Sequence, residues 1–127
     1  LSHEEPIDPA LGYQKKCFEY QKVYMEGLLK FANAMDAIKE GDKTMLDRML
    51  VFAYTDHGAP RLHSLHNYPA ITIGSASGRL KTGMHVAQAG QPITRVSLTA
   101  MQAMGVPISS FGTGSNRADS AIAEVAA

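Results

Sequence analysis

The chain has 127 residues, which suits one modest domain or part of a larger one. Its apolar fraction of 45% can supply a core, and its twelve basic and twelve acidic side chains cancel. The absence of a basic face argues against nucleic acid as a partner. No apolar run approaches the roughly 20 residues of a membrane helix, so no transmembrane segment is predicted.

A long helix is predicted from Ala10 to Lys39, because apolar residues recur there in steps of three and four. Asp8 and Pro9 suit its first turn, and Gly41 suits its end. We expect the apolar face to pack in the core, with an aromatic binding stripe as the alternative. The face consists of Tyr13, Cys17, Tyr20, Tyr24, Leu28, Phe31, Met35 and Ile38.

Two short strands are predicted next. Thr44 to Arg48 reads as a turn or short helix, and it leads into the apolar run from Met49 to Tyr54. Because this run is continuous and not alternating, it predicts a strand buried on both faces, as in a parallel sheet. The second strand covers Ala70 to Ile73 and stops at Gly74.

A closing helix is predicted from Thr94 to Met104, where Gly105 ends it and Pro107 prevents its continuation. The tail from Gly112 to Ala127 is small and polar, then rich in alanine, and is expected to be a marginal helix or a mobile segment. The order helix, strand, strand, helix indicates a single α/β domain over residues 1–127. Its sheet looks too small to stand alone, so the domain is expected to be partial.

The candidate site lies at the end of the first predicted strand. Asp56 and His57 follow that strand directly, and His63 and His66 follow in the polar loop after it. Imidazole and carboxylate groups are the ligands of zinc-like ions, and ligands collect beyond the carboxyl ends of strands in open α/β proteins. A divalent metal site is therefore one interpretation. The other is a polar loop in which Asp56 caps a turn.

Basic side chains and a glycine-rich loop offer a way to hold an anion. Arg61 and Arg79 present paired donors that suit phosphate or sulfate, and Lys81 presents a point charge. The stretch from Gly74 to Gly83 could cradle an anion with its backbone amides, or it could simply connect elements at the sheet edge. It lacks the glycine patterns of nucleotide-binding loops.

Five ordered blocks of the chain resemble an exported bacterial family that is named for a His-x-x-Ser-His-His motif and is related to alkaline phosphatases and sulfatases. The blocks are Ser2–His3, Glu40–Asp47, His63–Pro69, Gly74–Gly83 and Ala103–Gly112. The chain departs from the family where Glu4 replaces a histidine of the naming motif and where Leu65 stands at an expected histidine. Asp56 and His57 are similar to the Asp-His step that binds metal in alkaline phosphatases.

The resemblance implies the C-terminal part of an alkaline-phosphatase-like sandwich, with a long helix, short parallel strands and a closing helix. In that superfamily the nucleophile and the first metal-binding acid lie early in the sequence, so the missing N-terminal part would be a partner of this chain. The implied metal ligands are Asp56, His57, His63, His66 and His3, and the implied ion is zinc or calcium. The implied location is periplasmic or extracellular.

Two functions from different classes follow from these observations. The first is a non-catalytic or degenerate member of the superfamily that serves as a subunit or binding partner in an extracytoplasmic protein complex. The alternative is a metal-dependent hydrolase of phosphate or sulfate esters, whose catalytic residues the sequence leaves unknown. The absent nucleophile and the departures at Glu4 and Leu65 favour the first.

Overall fold

The computed structural model describes all residues from Leu1 to Ala127. Its first helix, α1, spans Lys15–Ala37, so it begins five residues later than the periodicity predicts. The delay has a local cause, because the Asp8 carboxylate accepts hydrogen bonds from the amides of Ala10 and Leu11 at 2.9 and 3.0 Å. This turn competes with the helix for the same backbone groups.

The N-terminal segment, residues 1–13, is tied to the start of α1. Gln14 precedes the helix but does not cap it with its side chain. Glu5 takes that role, since its two carboxylate oxygens accept the amides of Lys16 and Cys17 at 2.7 and 3.0 Å. The Gln14 side chain donates in turn to the carbonyl of Ser2 at 2.8 Å. These bonds fix the path of the residues around Ser2.

A small hairpin follows α1. Strands β1 (Lys39–Glu40) and β2 (Lys43–Thr44) pair antiparallel, and helix α2 (Met45–Arg48) follows at once. The helix starts with a capping box, in which Thr44 and Asp47 each bond the backbone of the other. Hydrogen bonds from the Thr44 amide and hydroxyl hold the pKa of Asp47 below its ordinary value.

The second sheet pairs β3 (Val51–Tyr54) with β4 (Ala70–Ile73), and the pairing is antiparallel, with Val51 opposite Ile73. The prediction of parallel strands is therefore wrong. Parallel neighbours need a crossover helix, whereas residues 55–69 return the chain directly as a loop. The apolar run predicted a strand buried on both faces, but Val51, Phe52 and Ala53 are only half-buried.

Helix α3 spans Thr94–Ala103 and carries the most buried side chain, Leu98. A small core forms where Ala103 meets Ala76 and Leu80. The segment from Gly112 to Ala127 lies against α3. Its residues Ala118 and Ile122 are buried, and the Ile122 amide donates to Thr99 Oγ1 at 2.9 Å.

The architecture is mixed α/β, with three α-helices and two small antiparallel sheets. The parallel-strand sandwich of the alkaline phosphatases is not present, which corrects the finer fold prediction. Only nine of the 127 residues are buried, so the core is very small. None of the helices combines the length and apolarity needed to span a membrane.

The predicted core face of α1 is largely uncovered. Ala32 is the one buried residue of the helix, while Tyr20 is 63% exposed and Tyr24 is 78% exposed. The helix packs mainly against α2 and β2, which are too short to cover it. The prediction that this face packs in the core of the chain is therefore wrong.

Candidate metal centre

The loop between β3 and β4, residues 55–69, is folded tightly on itself. Ala59 and Ser64 pair across it, and a turn of 3-10 helix spans Pro60–Leu62 between them. His63 ends that turn in the left-handed conformation, with φ of 50°. Histidine is among the non-glycine residues that adopt this conformation most readily, so the turn points His63 back toward the strand end.

Three histidines meet at this loop, two from the loop itself and one from the N-terminal segment. The Nε2 atoms of His3 and His63 lie 3.2 Å apart, and the two ring centroids are 5.0 Å apart. The ring of His57 also contacts that of His63, at 4.9 Å between centroids. The geometry therefore brings together three of the five predicted metal ligands, including His3 at a sequence separation of 60 residues from His63.

Asp56 belongs to the cluster through its contact with His57, and its role as a metal ligand stays a prediction. Its Oδ1 lies 3.2 Å from His57 Nδ1, and its side chain is 88% exposed on the far side of that ring. A carboxylate at Nδ1 favours the tautomer with a proton there and leaves Nε2 free as an acceptor or ligand. Asp56 thus orients His57, as carboxylates behind metal-binding histidines do.

The side chains as they stand include no group of three or more His, Cys, Asp and Glu residues arranged to hold a metal ion. The pair His3 and His63 nevertheless fits one. Two nitrogens bound to a single tetrahedral zinc at the usual bond length lie about 3.3 Å apart. The observed 3.2 Å between the Nε2 atoms is close to that separation.

The remaining predicted ligand, His66, lies in the same loop without a ring contact to the other three. Its backbone amide donates to Ser64 Oγ at 3.1 Å, and its side chain is exposed. His85 lies apart in the stretch before α3. His85 therefore serves as an internal control for the cluster, and a ligand role for His66 stays a prediction.

The predicted anion-binding side chains do not converge on the histidines. Arg79 Nη1 donates to the carbonyl of Ala103 at 2.9 Å, and Lys81 Nζ lies 3.4 Å from the carbonyl of Glu124. Arg61 is exposed on the 3-10 turn near the cluster. The anion-binding role of the three stays a prediction, and Arg61 is the one whose position suits it.

Several amides of the glycine-rich loop already donate to acceptors within the chain. The amides of Ala76 and Ser77 donate to the carbonyls of Met49 and Asp47 at 3.2 and 2.7 Å. The Gly78 amide donates to Ser75 Oγ at 3.0 Å. These bonds fold the loop against the end of α2, which favours the interpretation as a connection over that as an anion cradle.

Sequence reasoning missed the part played by Glu5. Its carboxylate caps α1 across eleven residues of chain and thereby helps to place His3 two residues before it. Hydrogen bonds from the Lys16 and Cys17 amides outweigh the effect of burial and lower the pKa of Glu5. No local spacing marks such a cap, because capping patterns in sequence extend only three residues.

Comparison of the chain with protein-family models, with curated proteins and with solved structures finds no match.

Proposed function

We propose that this chain is a non-catalytic subunit or binding part of a larger extracytoplasmic assembly, in which a partner polypeptide covers the apolar flanks of α1. The observation that carries the proposal is the uncovered helix. The resemblance to the exported family adds the expected location, periplasmic or extracellular, and the expectation of a degenerate alkaline-phosphatase-like site.

The accessible surface supports this proposal quantitatively. The chain exposes 8846 Å² at a mass of 13.7 kDa. A globular monomer of that mass exposes roughly 6,600 Å², so the excess is about a third. An excess of roughly 2,200 Å² is of the size that a large permanent interface removes from one partner. A chain that closed its own core would not leave so much surface in water.

The exposed residues of α1 form two apolar flanks on either side of the strip that touches α2. The first flank contains Tyr20, Tyr24 and Phe31, and the second contains Phe18, Met25 and Leu29. Between them lie the half-buried Cys17, Leu28 and Met35 and the buried Ala32. The apolar arc of the helix is therefore wider than its own chain covers, which is typical of a helix that packs into a groove of another polypeptide.

The opposite side of α1 is polar and stays in water. It carries an ion pair between Lys22 and Glu19 at 2.9 Å, with Glu26 and Lys30 nearby on the same side. A partner that presents a mainly apolar groove could thus take both flanks without desolvating these charges. Burial of exposed aromatic side chains is a large favourable term, worth about 1.5–3 kcal/mol for each large apolar residue.

The test is the mass of the protein expressed in its native host and measured by light scattering after chromatography. We expect a complex of fixed stoichiometry, which the double substitution Tyr24→Glu with Leu29→Glu dissociates. Asn33→Glu, which places a new negative charge on the polar side, is the control for added charge and should leave the complex intact. A monodisperse monomer in the wild type, or equal dissociation by the control, would contradict the proposal.

The histidine cluster favours a second function, a metal-dependent hydrolase of phosphate or sulfate esters. A bound zinc-like ion supplies Lewis acidity and a more acidic water. The side chains His3, His57 and His63 would hold the ion, Asp56 would orient His57, and Arg61 would bind the ester oxyanion. Zinc-dependent turnover of aryl phosphates or aryl sulfates that is lost in His57→Ala and kept in His85→Ala would support it; no turnover in any case would exclude it.

A further inference from the structure

We propose that His3 and His63, with His57 as the third side chain, bind one divalent transition-metal ion of the zinc class, and that the ion fastens the N-terminal segment to the loop between β3 and β4. The site is a structural clamp. It depends on the histidine geometry alone and holds whether or not the chain is a subunit or a hydrolase.

The contact between His3 and His63 is the first observation that supports a shared ion. Both side chains are exposed, and both present Nε2 to the same point, with 3.2 Å between the two atoms. In water, exposed imidazoles gain little from a single mutual hydrogen bond, because each can bond to solvent instead. A shared cation bound by both lone pairs accounts for the convergence more fully, since the separation matches that of two ligands on one tetrahedral ion.

The second observation concerns His57, which lies next to His63. Its Nδ1 lies 3.2 Å from Asp56 Oδ1, and a carboxylate at Nδ1 favours the tautomer in which Nε2 is the metal-binding nitrogen. Its ring already contacts that of His63, and its side chain is only 25% exposed. To act as the third ligand, His57 would have to change its side-chain torsion, because the observed side chains do not yet form a set of three ligands. The carboxylate behind it limits how far the ring can turn.

The clamp would hold two separate parts of the chain together. His3 lies in the segment that Glu5 and Gln14 fasten to the first turn of α1, and His63 lies in the loop at the strand end. An ion bound by both would therefore connect the start of α1 to the second sheet. The helix that we propose as the docking surface would then be oriented in part by the ion.

The ligand set also selects the ion. Imidazole nitrogen suits zinc, cobalt, nickel and copper, whereas calcium takes six to eight oxygen ligands. No carboxylate faces the His3–His63 pair directly, because Asp56 is turned toward His57 Nδ1. Zinc is therefore the expected ion of the two that the sequence suggested, and calcium is not expected to bind here.

The experiment titrates the purified metal-free protein with Zn²⁺, with Co²⁺ as the spectroscopic probe and with Ca²⁺ as the control ion. We expect one equivalent of Zn²⁺, no Ca²⁺ at this site, and a Co²⁺ spectrum of low coordination number. His3→Ala and His63→Asn should each weaken Zn²⁺ binding more than about tenfold, the lower limit for the loss of an outer-shell partner. Asparagine at 63 tolerates the left-handed backbone, which keeps the loop folded.

His85→Ala is the matched control and should bind Zn²⁺ as the wild type does. Hydrogen exchange gives a second readout, because Zn²⁺ should slow exchange of residues 1–13 in the wild type and not in His63→Asn. No Zn²⁺ binding, or binding that His85→Ala reduces as much as His3→Ala does, would overturn the clamp. Neither result would bear on the proposed assembly, because that proposal is tested by the mass of the complex.

Discussion

At the scale of single residues, the candidate metal centre depends on a glycine. A Cβ added to Gly58 would meet the carbonyl oxygen of His66 at 1.7 Å, which neither backbone can accommodate without moving. We expect Gly58→Ala to lower the free energy of unfolding by about 1–3 kcal/mol and to displace His57 from His63. Urea unfolding measures the first effect, and the Zn²⁺ titration measures the second.

The matched control for this change is Gly27→Ala. Gly27 lies inside α1 with nothing within 4 Å of an added Cβ. Alanine is favoured over glycine in helices, so this substitution should raise stability by about 0.5–1 kcal/mol. If both substitutions had the same effect, the close approach of residues 58 and 66 would not be a determinant of the loop.

Asp47 gives the protein an acid-sensitive contact. Its pKa is lowered by hydrogen bonds from the Thr44 amide and hydroxyl, so the folded state favours the carboxylate. The stability that this bond contributes is fully present above the ordinary Asp pKa of about 3.9 and is lost as the pH falls through the lowered folded value. Urea midpoints between about pH 6 and pH 2.5 should show this decline.

The variant that isolates the contribution is Asp47→Asn, which keeps an acceptor for the Thr44 amide but cannot titrate. We expect it to flatten the acid limb of the stability curve. Asp36→Asn, on the exposed surface of α1, should leave the limb unchanged. A wild-type curve without a decline below pH 4, or an equal effect in both variants, would contradict the role of the capping box.

At the scale of elements, the periodicity of apolar residues predicted the helices and the strand that depend mainly on neighbouring residues. The steps of three and four along α1 and α3 indicate helices, and the observed bounds of α3 differ from the predicted ones by one residue at the end. The second strand, Ala70–Ile73, is confirmed as predicted. The hairpin of β1 and β2 was not predicted, because strands of two residues are too short to show an alternation of apolar and polar side chains.

Strand direction and helix start depend on non-local partners, and here sequence reasoning failed. A continuous apolar run is typical of parallel strands but does not require them, and Val51 to Tyr54 pairs antiparallel at a half-buried position. Likewise, Asp8 has the chemistry of a helix cap, but it closes a turn of its own. Glu5, which has no capping signal in sequence, caps the helix from a distance.

The non-local cap leads to a prediction for α1. Replacing Glu5 by Ala removes the acceptor for the Lys16 and Cys17 amides, so hydrogen exchange of these two amides should become faster. Glu4→Ala, at the exposed neighbouring position, should leave both amides unchanged. Since Glu5 also helps to hold the N-terminal segment, the Glu5 variant should bind Zn²⁺ less tightly than the Glu4 variant.

At the scale of the whole molecule, the sequence pattern located three of the four residues of the cluster. The strand end that carries Asp56 and His57 was predicted from an apolar run followed by polar residues, and His63 from the loop after it. His3 entered only through a family resemblance, because a contact between residues 3 and 63 has no local signature. The separate positions of His63 and His66 depend on the turn at residues 60–62, which the sequence did not reveal.

The distribution of burial gives the last prediction. If α1 docks on a partner, its flanks contribute little to the stability of the isolated chain, so Tyr24→Ser should change the free energy of unfolding by no more than about 0.5 kcal/mol. Leu98→Ala should cost about 2–5 kcal/mol, because Leu98 is fully buried on α3. In the complex the effect of Tyr24→Ser on stability should be larger, because the substitution would then remove aromatic surface that the partner buries. The urea midpoint of the complex should therefore fall. Urea unfolding of the chain alone and of the complex compares the two cases. A large loss for Tyr24→Ser in the isolated chain would mean that α1 packs within its own chain after all.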